Sequence, residues 1–306
     1  PWLDRIMAGA IPKPGRLSLT PMLSHKGKII GDFTVTCLSE TEFRITGSYG
    51  AQDQHLRWFE QNLEEGVSVE NISDRVTGFQ IAGPKARDLL AKVTRADVSA
   101  EAFKFMDARR MTVGMSDCLV QRVSYTGDLG FEIFTDFMSE RSLWHTLWIA
   151  GQDLGLRPFG MRAMMSLRLD RFFGSWAREF SPDYFPGETG IDRFIRWNKD
   201  ADWIGKAPAL KEKAEGPKRR LCHFIVDADD ADVVAYEPIW LDDNVVGFCT
   251  SGGYSHWTGK SVAMGFLPTD RIKDGLAVEI EILGQRRKAK LTTEVLWDPA
   301  ATRMRT

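Results

Sequence analysis

Residues 77–93 read TGFQIAGPKARDLLAKV. The first six, Thr77 to Ala82, are strand-like, and Gly83-Pro84 ends them. Proline is well placed in a first helical turn, where its missing N–H is not needed. Behind it, Ala86, Leu89, Leu90 and Val93 fall on one side of a helix. Strand, turn and helix therefore form one β-α unit. Further along, residues 109–125 are long and β-rich, with a break at Gly114. Thr126-Gly127-Asp128 is a turn and residues 130–134 are the return strand. Residues 137–154 are helical, with Leu143, Leu147, Ala150 and Leu154 on one stripe. Strand-helix-strand-strand-helix over residues 69–154 predicts an α+β sandwich of ferredoxin-like type.

Upstream, residues 27–38, GKIIGDFTVTCL, are rich in β-branched and aromatic side chains and predict a strand, with residues 42–48 as its hairpin partner. Residues 54–63 predict a helix with Leu56, Phe59 and Leu63 on one face, and residues 68–74 another strand. Downstream, residues 211–220, KEKAEGPKRR, read as a linker or an exposed helix end. Beyond them the pattern is almost wholly β, in short segments at 221–226, 238–241, 245–249, 261–266, 277–283 and 287–295. That predicts a small barrel or sandwich. A domain boundary is expected near Gly216, giving domains 1–215 and 216–306.

Of the 306 residues, 43% are apolar and 27% charged, so the chain can bury a real core. The formal charge of −2 argues against nucleic acid or an anionic membrane as main partner, since either favours a basic surface. No apolar run approaches the roughly 20 residues of a membrane helix. Cys37, Cys118, Cys222 and Cys249 are far apart and form no CxxC pair, so they are expected as buried thiols in a reducing compartment. The five histidines lack ligand spacing, and no metal site is expected. No dinucleotide fingerprint, P-loop, HExxH or GxSxG elbow is present.

Three subtler features carry chemistry. Asp32 lies inside the apolar strand IIGDFTV, on the face of Ile30 and Thr34, opposite Ile29, Gly31, Phe33 and Val35. A carboxylate there has either a solvated face or a function. Its neighbour Gly31 marks a close approach by a ligand or another backbone. In SYTGDLGFE, residues 124–132, Tyr125 and Glu132 stand at the two ends of a glycine-rich turn. Glu132 is either solvent-facing or brought against Tyr125. TSGGYSHW, residues 250–257, is a Gly-Ser loop with aromatics, Tyr254 among them. It reads as a pocket lid or a plain turn.

Six segments in order resemble the aminomethyltransferase family, typified by the glycine-cleavage T-protein. They are GKIIGDFTV at 27–35, NISDRVTGFQIAGPKA at 71–86, SYTGDLGFE at 124–132, RPFGMRAMMSLRLD at 157–170, DADWIGKAPALKE at 200–212 and VVGFCTSGGYS at 245–255. The resemblance implies a three-domain cloverleaf around a central folate cleft, closed by a C-terminal β barrel. It places the family's cleft aspartate on Asp32, its pterin-binding glutamate on Glu132 and the associated tyrosine on Tyr125. Tyr254 is a candidate for the cleft wall. A carboxylate suits a pterin, whose amino group and ring N–H lie side by side and both donate.

Within the family, Met164 stands where glycine-cleavage members carry an arginine. Gly31-Asp32 replaces their doubled aspartate, and the upstream tyrosine falls at about Leu19. These departures weigh against glycine cleavage and lipoyl-protein docking. IPKPG at 11–15, LRWFE at 56–60, NKDADWIGKAPAL at 198–210 and TSGGYS at 250–255 resemble the dimethylglycine and sarcosine dehydrogenase branch. That branch implies an FAD oxidase domain in the same polypeptide or complex, upstream of this region. It also implies a small N-methyl amine or its iminium as substrate, tetrahydrofolate as acceptor and 5,10-methylenetetrahydrofolate as product. The location implied is cytoplasmic, or the mitochondrial matrix in a eukaryote. The family's first helix and strands would precede Pro1, so the chain is expected to be a piece of a longer flavoprotein. Two other readings are a folate-dependent demethylase without flavin and a folate-binding regulatory protein. Lys26 and Lys28 stand as either folate-tail contacts or surface lysines.

Overall fold

The computed structural model describes residues 1–306. In chain order the strands are β1 (Leu17–Leu23), β2 (Ile29–Cys37), β3 (Phe43–Thr46), β4 (Val76–Ala82), β5 (Ala108–Val113), β6 (Ser116–Gln121) and β7 (Gly130–Asp136). Then follow β8 (Arg219–Val226), β9 (Pro238–Leu241), β10 (Asn244–Ser255), β11 (Lys260–Pro268), β12 (Ala277–Ile282) and β13 (Gln285–Thr292). The helices are α1 (Trp2–Ile6), α2 (Gln52–Gln61), α3 (Ala86–Val93), α4 (Glu140–Gly151), α5 (Met161–Leu167), α6 (Pro186–Thr189), α7 (Lys206–Glu215) and α8 (Thr302–Arg305). Two compact units result, and the chain passes between them after residue 10, within β1, within β2, at the start of α5 and at residue 300. No helix is long and apolar enough to cross a membrane.

The unit built from residues 11–19, 34–161 and 300–306 centres on an antiparallel sheet ordered β4-β7-β6-β5. Alternation along each strand sorts its side chains onto two faces. Ile81, Val120, Phe131 and Ile133 pack with Leu89 and Leu90 of α3 and Leu143 and Leu147 of α4 in one core. Leu90 and Leu143 are fully buried, each contributing roughly 1.5–3 kcal/mol by leaving water. On the opposite face Leu119 and Phe134 pack with Leu17, Ala108 and Val123. The stripe read along residues 143–154 is therefore the core face of α4. The break at Gly114 is a tight turn: Val113 pairs with Ser116, and Gly114 has φ of +62°. That turn splits the long β segment in two. The order is thus β-α-β-β-β-α, one strand more than the sequence pattern gave and, with four strands, the ferredoxin-like number in a different order.

Two local expectations fail. Residues 68–74 form no strand; only a short 3-10 turn, Ser73–Arg75, precedes β4. On α2 the buried side chains are His55 and Phe59, while Leu63 lies past the helix end and is exposed. In a ten-residue helix the last apolar residue of the pattern simply ran beyond the hydrogen-bonded turns.

The other unit comprises residues 1–10, 20–33 and 162–299. Its centre is a closed six-stranded barrel ordered β10-β11-β8-β13-β12-β9. Phe224, Ile239, Cys249, Ala263, Ile280 and Leu291 fill it. A second cluster joins Ala8, Leu23, Ile29, Tyr184, Ile195, Trp203 and Phe266. Residues 211–220 are the end of α7, its Gly216 cap at φ +79°, and the start of β8, so the helix-end reading holds. All four cysteines are buried and free.

Residues 250–255 are a correction. They are not a loop but the second half of β10, paired with β11 through Gly252↔Ala263, Gly253↔Val262 and Tyr254↔Ser261. A Cβ on Gly252 would overlap Val233, so the glycine serves close packing inside a strand, not a turn.

Candidate functional site

On the sheet unit, the site starts from one ladder rung. Glu132 of β7 is the register partner of Gln80 on β4 and of Gln121 on β6. Directly opposed residues share a face, with Cβ atoms about 4.5–5.5 Å apart. Three polar side chains thus stand side by side, on the face away from α3 and α4. Glu132 is half-buried, and burial alone pushes its carboxyl up to about 7. Gln121 is fully buried and donates Nε2–H to the Thr36 hydroxyl at 2.7 Å, leaving its Oε1 without a partner. Gln80 is half-buried, yet its amide nitrogen and oxygen are both buried without a hydrogen bond. Native proteins leave few such groups unpaired, because each costs about 1–3 kcal/mol. An uncommitted acceptor beside unpaired amide atoms fits a flat ligand whose edge carries donors and an acceptor.

Tyr125 lies in the eight-residue loop at 122–129, between β6 and β7, and is half-buried. The ladder pairs Glu132 with Gln121, so β6 ends before Tyr125 is reached. The loop is held at several points. The Ser124 and Thr126 hydroxyls are 2.9 Å apart. Arg303 of α8 donates to the Asp128 carboxylate at 3.2 and 3.3 Å. The buried Arg122 guanidinium donates to the backbone oxygen of Thr306. A Cβ on Gly130 would overlap Ser124, which accounts for glycine at the start of β7.

On the barrel unit, Asp32 occupies a half-buried position on β2, between buried Gly31 and Phe33. Burial pushes its carboxyl up to about 7, against a smaller opposing effect of a backbone hydrogen bond. The alternation read from sequence holds: Ile29, Gly31, Phe33 and Val35 are buried, while Ile30, Asp32 and Thr34 are partly open. Gly31 has a different cause from the one expected. A Cβ there would overlap the ring of Phe33, so an aromatic side chain of the same strand lies over the glycine. Tyr254 is 39% exposed on β10, its ring 5.0 Å from that of His256. Lys28 is engaged by its own unit: its Nζ lies 3.7 Å over the Phe185 ring and 3.8 Å from Glu188. The sequence reading missed Gln80 and Gln121. Period-two alternation with Glu132 would have flagged Gln80 as polar in an apolar strand, but not its partner across the ladder.

A two-layer antiparallel sheet unit with a closed six-stranded barrel is the aminomethyltransferase fold. The match to the glycine cleavage system aminomethyltransferase T of Bartonella henselae has a TM-score of 0.85, over 97% of this chain and 81% of that one, at 22% identity. The GCVT N-terminal domain model matches residues 1–199, and the glycine cleavage T-protein C-terminal barrel domain model matches residues 219–298. The aminomethyltransferase of Natranaerobius thermophilus is 30% identical over 281 residues, covering 91% of this chain and 76% of that protein. This chain belongs to the glycine-cleavage T-protein, or aminomethyltransferase, family. Human mitochondrial dimethylglycine dehydrogenase is 36% identical over 307 residues, 99% of this chain. The chain spans only 36% of that protein's length.

Proposed function

We propose that this chain binds tetrahydrofolate and transfers to it a one-carbon unit, forming 5,10-methylenetetrahydrofolate from the iminium of an oxidised N-methyl amine of dimethylglycine or sarcosine type. The observation that carries this reading is Glu132, an uncommitted carboxylate beside the unpaired amide of Gln80. Family membership supports it. An FAD oxidase domain in the same polypeptide or complex would make the iminium; the 36% identity to dimethylglycine dehydrogenase over about a third of its length supports that arrangement. We further propose that Gly216 separates a folate-binding region, residues 1–215, from the barrel domain, residues 216–306.

When bound, tetrahydrofolate supplies the nucleophilic nitrogens that take up the carbon. Glu132 accepts two adjacent N–H groups of the pterin, each such charge-assisted bond contributing about 1.5–3 kcal/mol. Tyr125 adds to the pterin seat, and Tyr254 to the wall of the site. Asp32 holds a proton in transit at the folate nitrogen that attacks. The two hydrogens lost from the folate nitrogens end on the departing amine, so no net proton is released. A carboxyl near 7 is suited to taking and returning one of them at neutral pH.

Calorimetric titration of tetrahydrofolate into this chain, beside Glu132→Ala, tests the reading. Losing the anchor should cost roughly 2–4 kcal/mol, or about 30- to 1,000-fold in affinity. A folded wild-type chain that binds no tetrahydrofolate, as this chain and again within any longer polypeptide that carries it, would falsify the proposal.

A further inference from the structure

The rung that holds Glu132 has more to give than one carboxylate. Its polar side-chain atoms form an ordered pattern across the three strands. Gln80 carries an amide whose two ends are both unpaired. Glu132 supplies two acceptor oxygens. Gln121 donates its amide nitrogen to Thr36 at 2.7 Å, which leaves Oε1 as its unpaired acceptor. Read from β6 to β4, the rung therefore offers acceptor, acceptor, acceptor, and then an amide free to donate. The lactam edge of a 2-amino-4-oxo pteridine presents the complement in the same order. Its amino group has two N–H donors, its N3–H is a third, and its 4-oxo oxygen is an acceptor.

We propose that Gln80 and Gln121 flank Glu132 as specificity-determining residues for the pterin lactam edge, Gln121 Oε1 accepting the outer hydrogen of the 2-amino group and Gln80 Nε2 donating to the 4-oxo oxygen. This rests on the folate reading above and adds to it an orientation: the 2-amino side lies toward β6 and the 4-oxo side toward β4. That sense follows the arrangement in which Gln121 Nε2 donates to Thr36. A carboxamide can turn, and the Thr36 hydroxyl can donate as well as accept, so the reversed arrangement is the alternative that the amide spectra below test. The ligand also resolves the cost of the empty rung. Gln80 Nε2 and Gln121 Oε1 gain partners in one event, so part of the binding energy is drawn from atoms that fold unsatisfied. A purine or pyrimidine lacking this donor-donor-donor-acceptor order would leave at least one of them unpaired.

The test uses this chain, with tetrahydrofolate as probe and two readouts. Gln80→Leu keeps the side-chain volume roughly but removes the amide. Calorimetry should show tetrahydrofolate bound about 3- to 10-fold more weakly, the loss of one neutral hydrogen bond. The ligand-free melting temperature should stay level or rise, since an unpaired buried amide has gone. A glutamine with a purely structural role would lower it. In spectra of nitrogen-15-labelled protein, the Gln80 side-chain amide signal, assigned by its absence in Gln80→Leu, should move on adding tetrahydrofolate. The Gln121 amide should stay near its ligand-free position, still bonded to Thr36. If the wild type binds, Glu132→Ala loses affinity and Gln80→Leu binds as well as the wild type, the flanking role is overturned while the folate reading stands. If the wild type does not bind at all, both fall together.

Discussion

Two glutamates, one in each unit, are both withdrawn from water, and they are treated in opposite ways. Glu179 in the barrel unit is fully buried. Its carboxylate accepts from Arg168 Nη1 at 3.1 Å, the Ser175 backbone N–H at 2.9 Å, and the Thr250 and Ser251 hydroxyls at 2.6 Å each. Arg168 also donates to Ser251 Oγ and the Phe173 carbonyl, both at 2.6 Å. Glu132 in the sheet unit has no such court: burial is the whole cause of its shift, and the flanking Gln80 leaves its amide unpaired. A buried charge with every lone pair engaged holds a fold together. A half-buried one with idle neighbours is ready for something the chain does not itself contain. Asp32, raised to about 7 by burial, belongs with Glu132.

The largest effect expected from this contrast is catalytic. Asp32→Asn should slow formation of 5,10-methylenetetrahydrofolate by about 10²–10⁴-fold, with tetrahydrofolate affinity little changed. The rate of product appearance with a supplied iminium checks it. Equal losses in rate and affinity would move Asp32 from proton transfer to simple binding. Next in size is Glu179→Ala, which strands the Arg168 charge inside the barrel unit. It should destabilise the protein by about 3–5 kcal/mol, measured by urea unfolding. If it costs no more than a surface mutation, the contrast between the two glutamates collapses.

Gly31→Ala forces a methyl into the Phe33 ring and should cost about 1–3 kcal/mol in the same unfolding measurement. Pairing it with Phe33→Leu, which makes room, should recover part of that loss. No recovery would mean that something other than the ring fills the space.

The smallest effect is a pH dependence, and its sign separates the two kinds of carboxylate. Glu132 is raised from 4.5 to about 7, so its ionisation disfavours the folded state. The protein is unaffected by this group below about pH 4.5, loses stability as pH climbs from there to about 7, and is level above. Glu132→Gln should therefore melt at the same temperature as the wild type at pH 4 and higher at pH 8. Tetrahydrofolate binding should run the other way, weakening up to about tenfold per unit as pH falls below 7, because a protonated Glu132 accepts less well. Asp32 also titrates near 7, so the binding profile is best taken in Asp32→Asn. A profile as steep in Glu132→Gln as in the wild type would remove Glu132 from the ligand.

Much of this was legible along the chain. The stripe Leu143, Leu147, Ala150 and the run Ile29 to Val35 fixed their faces, because periodicity reports directly which side of an element leaves water. Five of the six barrel strands lay where short β segments and turns placed them, within a few residues. The exception, β10, runs on through 250–255, where Gly252-Gly253 reads as a turn to any local rule. The glycines are there for Val233, which approaches from elsewhere in the same unit, and no local rule knows of it.

By itself, the sequence determined the class of most elements, the β-rich region that ends the chain, and two carboxylates to look at, Asp32 as a charge within apolar alternation and Glu132 at the end of a glycine-rich turn. Tertiary structure decided who stands beside them. Gln80 and Gln121 are 41 residues apart in numbering, and their meeting on either side of Glu132 depends on the register of β4, β7 and β6. A slip of one residue in any of these pairings would send its side chains to the other face. Register is set by packing against α3 and α4 over the whole sheet, so the neighbours of a functional residue are a property of the fold before they are one of the chain.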